Sequence, residues 1–449
     1  MLSIAELKEG YAAKQFTPAE IIEECLQKIH QKDESLCSLI TAAEEEARRQ
    51  AESAKEQFHT GRDRPLEGVP ITYKDIIDTK GIRTTNGAWI DRHYVPEEDA
   101  AVVRDLCRNG AITLGKANLH EYAFGVTSRN PFYGYVKNPW NPAYMAGGSS
   151  GGSAAAIAAG FCYGSIATDT AGSIRMPASC SGITGLKPTY GSISTEGVFP
   201  LSWSLDHVGP MGATVKDTAF LYEHMRGKEK TLAAVPAGRK IKIGVPRSFF
   251  NEKIDEEVSL IYKRVLRNLE TENVELVEVD VNFLKEATVV SRILAAPEVT
   301  YIHEHRADLK DYGEDIAPVF EKSRNVSSLD YVTALQDRNI MKEKLSRLFT
   351  KVDVLITPTL PVTPPLLHDQ TLGSGESVDD AMIRYTCPFN LTGHPALTMP
   401  AGLTKNNMPI GIQMVAGWLR EDLLLDTAMH YEARHLDFFY QERSRLCSR

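Results

Sequence analysis

The stretch 145–177, MAGGSSGGSAAAIAAGFCYGSIATDTAGSIRMP, constrains the rest of the chain more than any other. It carries no charge before Asp169 and is built largely from glycine, serine and alanine. Glycine loses more conformational freedom on folding than other residues and offers no side chain to pack. So many in one segment are expected where the backbone leaves room for something. The stretch overlaps the longest uncharged run, 138–168, but the proline, asparagines and GGSSGGS in that run argue against a membrane span. A buried segment presenting two serines, Ser149 and Ser173, beside a row of backbone donors is the better reading.

Elsewhere helical and strand patterns alternate. Residues 3–57 read as helices: Thr17 caps one, with Pro18 at its first position and Glu20 three residues on, and Ile21, Ile22, Cys25, Leu26 and Ile29 recur on one face. An alanine- and glutamate-rich helix is expected over 41–58. Strands are expected at 69–78, 111–114, 165–170, 240–246, 352–359 and 411–415, with helices through most of 287–350 and at 420–436. This alternation predicts an α/β fold, a large mixed β-sheet covered on both sides by helices. Neither a repeat nor a clean linker divides it. Residues 1–449 are therefore read as one domain, with an N-terminal helical segment (about residues 1–60) packed on the α/β core.

A net charge of −9 weighs against direct nucleic-acid binding, which needs concentrated Lys and Arg. The seven cysteines are scattered, without a CxxC pair, and the N-terminus has early acids and no apolar core. A cytoplasmic protein is expected, with no membrane partner.

Two lysines interrupt strand patterns. Lys116 closes Gly110-Ala-Ile-Thr-Leu-Gly-Lys-Ala117, close to the phosphate-binding G-x4-G-K-[ST] pattern. The residues between its glycines read as a strand, and Ala117 stands where the magnesium-binding hydroxyl belongs. Lys116 is accordingly expected on the surface or in a loop. Lys74, inside VPITYKDIID, has two readings: an ion pair with Asp75 or Asp78, or a functional group. A serine nucleophile needs a base, and the histidines offer no pattern for one. His207 and His394 lie in loops, and His303-Glu-His305 lacks the H-E-x-x-H spacing. No S-x-x-K motif occurs, so a lysine base must come from a distant position, and Lys74 is the natural candidate. To serve, it must be neutral near pH 7, a fall from about 10.4 that corresponds to roughly 4–5 kcal/mol. Burial among small neutral groups supplies such a shift.

Gly147-Gly-Ser-Ser-Gly-Gly-Ser153, Asp169-Thr-Ala-Gly-Ser-Ile-Arg-Met-Pro177, PLEGVPITYKD, NPWNP, SLDHVGP and Asn390-Leu-Thr-Gly-His-Pro-Ala together resemble the amidase signature family. The resemblance implies that family's fold and a Ser–cis-Ser–Lys triad. Ser173 would be the nucleophile, Ser149 the relay behind a cis Gly148–Ser149 peptide, and Lys74 the base. The backbone N–H groups of Thr170, Ala171, Gly172 and Ser173 would form the oxyanion hole, in a turn before a helix beginning near Ser173. Asp169 and Arg175 are expected to hold that turn, Ser150 to sit beside the relay and bond to it, and Asp75 to cap or pair locally.

The leading expectation is hydrolysis of a non-peptide amide to an acid and ammonia or an amine through an acyl-Ser173 intermediate. No metal and no organic cofactor are expected, and the partners are a small-molecule amide and a second copy in a homodimer. Within the same family, the alternative is the glutaminase subunit of a tRNA-dependent amidotransferase. That subunit places an aspartate seven residues before the asparagine of its N-L-A-G motif, to hold the glutamine amine, and Ile383 stands there in this chain. Arg338 resembles its carboxylate-binding arginine. Arg338 and Arg384 are the candidate substrate-binding residues, in a pocket expected over 290–385. A catalytically dead binding protein is disfavoured because every triad member is present.

Overall fold

The computed structural model describes residues 2–226, 240–272 and 274–447. Eleven strands form one sheet: β1 (Leu39–Ala42), β2 (Pro70–Lys74), β3 (Ile112–Ala117), β4 (Gly164–Asp169), β5 (Thr184–Lys187), β6 (His207–Gly212), β7 (Ile241–Pro246), β8 (Val274–Val279), β9 (Val354–Pro358), β10 (Ala396–Leu403) and β11 (Pro409–Ala416). Their spatial order is β1-β3-β2-β4-β6-β5-β10-β11-β9-β7-β8. Pairing is parallel for β2 with β3, β2 with β4, β7 with β8 and β7 with β9. The other neighbours run antiparallel, so the sheet is mixed.

The central strands are buried from end to end, as strands covered on both faces should be. Side chains alternate across a sheet. Val354, Ile356, Leu397 and Met414 accordingly enter one apolar cluster, while Leu355, Ala396 and Val415 enter another. The first cluster includes residues of the helices Pro18–Leu36, Val215–Met225, Glu256–Glu270 and Glu421–His435; the second includes residues of Ala287–His303 and Ser328–Leu348. This is the α/β sheet between helical layers that the alternation of patterns predicts.

The helix Pro18–Leu36 begins as read from the sequence, with Thr17 and Glu20 closing a reciprocal capping box. The segment after it departs from the all-helical expectation. Leu39–Ala42 is a strand, pairing antiparallel with the end of β3, and the next helix starts only at Glu44. Four apolar-to-small residues run into a helical pattern without a turn signal, so their strand state depends on the distant edge they complete.

The helix Gly151–Ala158 lies wholly inside the molecule. Its first turn presses against other backbone: a Cβ on Gly152 would overlap the carbonyl oxygens of Asn118 and Ser38. The small side chains of this stretch let a helix pass through a space that larger residues would fill.

Candidate active site

β2 and β4 run parallel side by side, with Tyr73 opposite Ile166, so their carboxyl ends deliver Lys74 and Asp169 to one edge of the sheet. The crevice outside the carboxyl ends of parallel strands is where ligands bind in open α/β sheets. Lys74 is fully buried, and its Nζ lies 2.7 Å from Ser149 Oγ and 2.9 Å from Thr168 Oγ1. It pairs with neither Asp75 nor Asp78, so the ion-pair reading fails. Asp75 instead accepts the N–H and hydroxyl of Thr85, at 2.8 and 2.5 Å. Burial pushes the Lys74 ammonium down to about 7, against the carboxylates of Asp169 and Asp206, which favour its charged form.

Ser149 follows a cis Gly148–Ser149 peptide. Its carbonyl receives the His120 N–H at 3.1 Å and the Ser128 hydroxyl at 3.0 Å. A Cβ on Gly148 would sit 2.7 Å from Ser128 N, so only glycine allows the loop this close. Ser150 does not bond the relay hydroxyl. Its N–H donates to the Ser173 carbonyl at 3.3 Å and its hydroxyl to the Thr168 carbonyl at 3.2 Å, which ties the 149–150 loop to the 170–173 turn. Ser149 is closed off from solvent, whereas Ser173 keeps 5% of its surface exposed, at the accessible end of the group.

In the turn, Gly172 has φ +132°, and a side chain there would overlap the Thr386 hydroxyl. Its N–H donates to Asp169 Oδ1 at 2.8 Å. Among the described residues, the backbone N–H groups of Thr170, Ala171 and Ser173 have no acceptor in the protein. The following helix starts at Arg175, later than expected, and has seven residues. The amides that could meet a developing negative charge are therefore those of the turn itself.

Asp169 and Arg175 form a fully buried pair, with Nη2 2.9 Å from Oδ1 and Nε 3.0 Å from Oδ2. Asn390 joins them: its Nδ2 donates to Asp169 Oδ1 at 2.7 Å, and its Oδ1 receives Arg175 Nη2 at 2.6 Å. Gln413 Oε1 and the Thr386 carbonyl receive Arg175 Nη1 at 2.6 and 2.8 Å. Burial alone would raise the Asp169 carboxyl, but Arg175 and these donors hold it well below the usual carboxylate range. A charge pair that is hydrogen-bonded this completely keeps the turn in place.

The two candidate substrate arginines differ. Arg338 donates Nε to the Leu391 carbonyl at 2.8 Å and Nη2 to the Ser204 carbonyl at 2.9 Å, while Nη1 has no acceptor among the described residues. Arg384 is paired with Glu376, and its Nη1 points to the carbonyls of Glu252 and Lys253. Ile383 is buried in an apolar cluster with Val126, Met145, Met176 and Leu360, against which Ala171 packs.

Lys116 is not a surface or loop residue. It is fully buried in β3, with Nζ bonded to the Ile77 carbonyl and to the hydroxyls of Thr79 and Thr84, at 3.0 and 2.8 Å for the hydroxyls. A lone lysine after a glycine gives no local sign of carbonyls and hydroxyls from 77–84 converging on it. His207 and His394 are likewise buried, and burial holds both imidazoles below their usual range. Sequence reasoning missed Thr168 and Asp206. Thr168 is the second contact of Lys74, and Asp206 receives the Thr170 hydroxyl at 2.6 Å. Asp206 lies in SLDHVGP, one of the segments that carry the family resemblance; Thr168 carries no local signal. Among the described residues no helix is long and apolar enough to cross a membrane, and no three His, Cys, Asp or Glu side chains are grouped to hold a metal ion.

Known proteins resemble this chain along nearly its whole length. The amidase family matches residues 20–425. A glutamyl-tRNA(Gln) amidotransferase subunit from Psychrobacter cryohalolentis is 34% identical over 98% of this chain and 97% of its own. A crystal structure described as an amidase superposes with TM-score 0.91 at 33% identity, covering 97% of this chain and all of that one. The corresponding amidotransferase subunit from Thermotoga maritima gives TM-score 0.81 at 27% identity, covering 97% and 95% of the two chains. These relatives overturn the partner expectation of a small-molecule amide alone, no nucleic acid and at most a homodimer. The amidotransferase relatives are subunits by name, and the enzyme they belong to is named for a tRNA.

Proposed function

Because the chain belongs to the amidase family, we propose that it hydrolyses a carboxamide at Ser173 and works as the amide-hydrolysing subunit of an amidotransferase-type assembly, with glutamine as the ammonia source. The observation that carries the chemistry is the contact of 2.7 Å between Lys74 Nζ and Ser149 Oγ, made where burial favours the neutral amine. With Lys74 neutral, the Ser149 hydroxyl donates to the Nζ lone pair and can accept the Ser173 proton in turn. Ser173 Oγ then attacks the amide carbon, and the amides of Thr170, Ala171 and Ser173 receive the oxyanion. Ser149 returns the proton to the leaving nitrogen, ammonia departs, and water attacks the acyl-Ser173 ester by the same route. The assembly part of the reading is drawn from relatives named as amidotransferase subunits and from the Nη1 of Arg338, a donor without an acceptor among the described residues and suited to a substrate carboxylate.

A second reading has its own observation. Ile383, in its apolar cluster, offers nothing to a substrate ammonium, which favours an acyl amide without one and a chain active by itself. Ammonia release from glutamine, propanamide and benzamide separates the two. Glutamine turnover that appears or rises strongly when the chain is isolated with its partner subunits supports the assembly. Efficient hydrolysis of the simple amides by the chain alone, with glutamine inert in both preparations, supports the second reading and sinks the first.

A further inference from the structure

Asp206 is bonded to the 170–173 turn, yet the steps above give it no part. Its Oδ1 receives the Thr170 hydroxyl at 2.6 Å, and its Oδ2 receives the N–H groups of Leu201 and Ser202, each at 3.0 Å. The loop that carries it is anchored from outside. The Ser202 hydroxyl and the Ser204 N–H donate to Glu298 Oε2 at 2.6 and 3.2 Å, and the Ser204 carbonyl receives Arg338 Nη2 at 2.9 Å. Thr168, Thr170 and Asp206 also line one cavity of about 40 Å³, large enough for water.

We propose that Asp206 is a positioning residue for amide hydrolysis, holding Thr170 by its side chain so that the Thr170 N–H faces the reacting carbonyl; the proposal rests on the Ser173 reading above. Thr170 is the first residue beyond β4, so no sheet ladder fixes its peptide. Among the described residues its N–H has no acceptor, and the one side-chain bond it makes is to Asp206. A carboxylate acceptor makes that bond short and strong. Misplacing a reacting group by about 1 Å can cost about a hundredfold in rate.

The carboxylate also acts through its charge. Asp206 faces the Thr170 hydroxyl, the amides of Leu201 and Ser202, the Glu298 carboxylate and the Lys74 amine; burial lifts its carboxyl to about 7. Lys74 faces Asp169 and Asp206 as charges, and Ser149 and Thr168 as hydroxyls. Where the carboxyl is ionised, from about pH 7 upward, removing the Asp206 charge removes one reason for Lys74 to keep its proton.

The test is the rate at which a fluorophosphonate labels Ser173, read by mass spectrometry of the intact chain and its peptides across pH 5–9. Thr170→Val should label about tenfold more slowly than the native chain, and Thr170→Ser, which restores the hydroxyl, at close to the native rate. Asp206→Asn should label about 10–100-fold more slowly, and its acid limb should move to lower pH, which a merely structural contact would not cause. If Thr170→Val labels at the native rate, or Thr170→Ser is as slow as Thr170→Val, the proposal is overturned even if Asp206→Asn proves unstable. Label found on a residue other than Ser173 in the native chain instead overturns the underlying reading.

Discussion

Lys74 and Lys116 sit on adjacent parallel strands, and both are fully buried. Lys116 is opposite Tyr73 in the register, so alternation sends the two amines to opposite faces of the sheet. Burial lowers both, Lys74 to about 7 and Lys116 to about 8. Their surroundings make them different groups. Lys116 meets a carbonyl and two hydroxyls, with the buried carboxyl of Asp75 near enough to support its charge. Lys74 makes both of its hydrogen bonds to hydroxyls, with the carboxylates of Asp169 and Asp206 near enough to favour its charge. One of those hydroxyls, that of Ser149, lies on the loop that Ser150 ties to the 170–173 turn. A charged lysine held by permanent acceptors is structural. A neutral lysine beside a hydroxyl that can pass its proton onward is suited to act as a base, the role proposed for Lys74. The comparison teaches that burial alone does not identify a catalytic lysine; the partners do.

The largest test of the contrast is activity. Ser173→Ala should abolish amide hydrolysis, and Lys74→Ala should lower kcat by at least about 10³-fold, whereas Lys116→Met should stay within about threefold of the native rate where folded. A Lys116→Met enzyme as slow as Lys74→Ala would erase the distinction.

Stability should run the other way. Lys116→Met leaves a carbonyl and two hydroxyls without their donor and should cost about 2–4 kcal/mol in urea unfolding. Lys74→Met should gain about 1–4 kcal/mol at pH 7, because it removes a buried amine that the unfolded chain would protonate, less the loss of two bonds to hydroxyls. A Lys74→Met chain less stable than Lys116→Met would show that the Lys74 contacts hold the fold.

The pH dependence follows from the same shifts. Activity that needs neutral Lys74 should rise through about pH 7 and fall below it. For stability the sign is opposite to that of a lysine that gains a partner on folding. The folded-state pKa is below the unfolded one, so between about 7 and about 10.4 the unfolded state binds more protons and stability increases with pH. Lys74→Met should flatten that slope, and an unchanged slope would assign it to Lys116.

The smallest effect is expected from the arginines. Arg384→Gln should change KM by less than about threefold, since Glu376 already occupies that guanidinium, while Arg338→Gln should raise KM about tenfold for amides bearing a carboxylate. Equal tenfold effects would mean that both arginines face the substrate, and equal effects under threefold that neither does.

Much of the candidate site was legible in the residues together with the resemblance they carry. The 145–177 stretch, a lysine in an apolar strand pattern and the want of a usable histidine pointed to Lys74, Ser149 and Ser173, and the family resemblance supplied the role proposed for each. The fold puts Lys74 against Ser149, on a loop tied to the turn that holds Ser173. The strand and helix alternation was legible because long segments carry their own period, and Thr17 because a capping box is local. Leu39–Ala42 was not, since four residues hold no period and their strand state depends on β3. Lys74 was singled out from sequence, but Lys116 was misplaced at the surface, because nothing local shows that a carbonyl and two hydroxyls from 77–84 converge on it.

What the sequence determined by itself, then, is which chemistry-bearing groups exist and where the backbone must be small enough to approach them. Tertiary structure alone decided what each group touches. Lys74 finds Ser149 75 positions away, Asp169 finds Asn390 221 positions away, and Asp206 finds Thr170 across 36. Hydrogen bonds and desolvation act through space over a few ångströms, and no local pattern records which distant residue the fold brings within that reach.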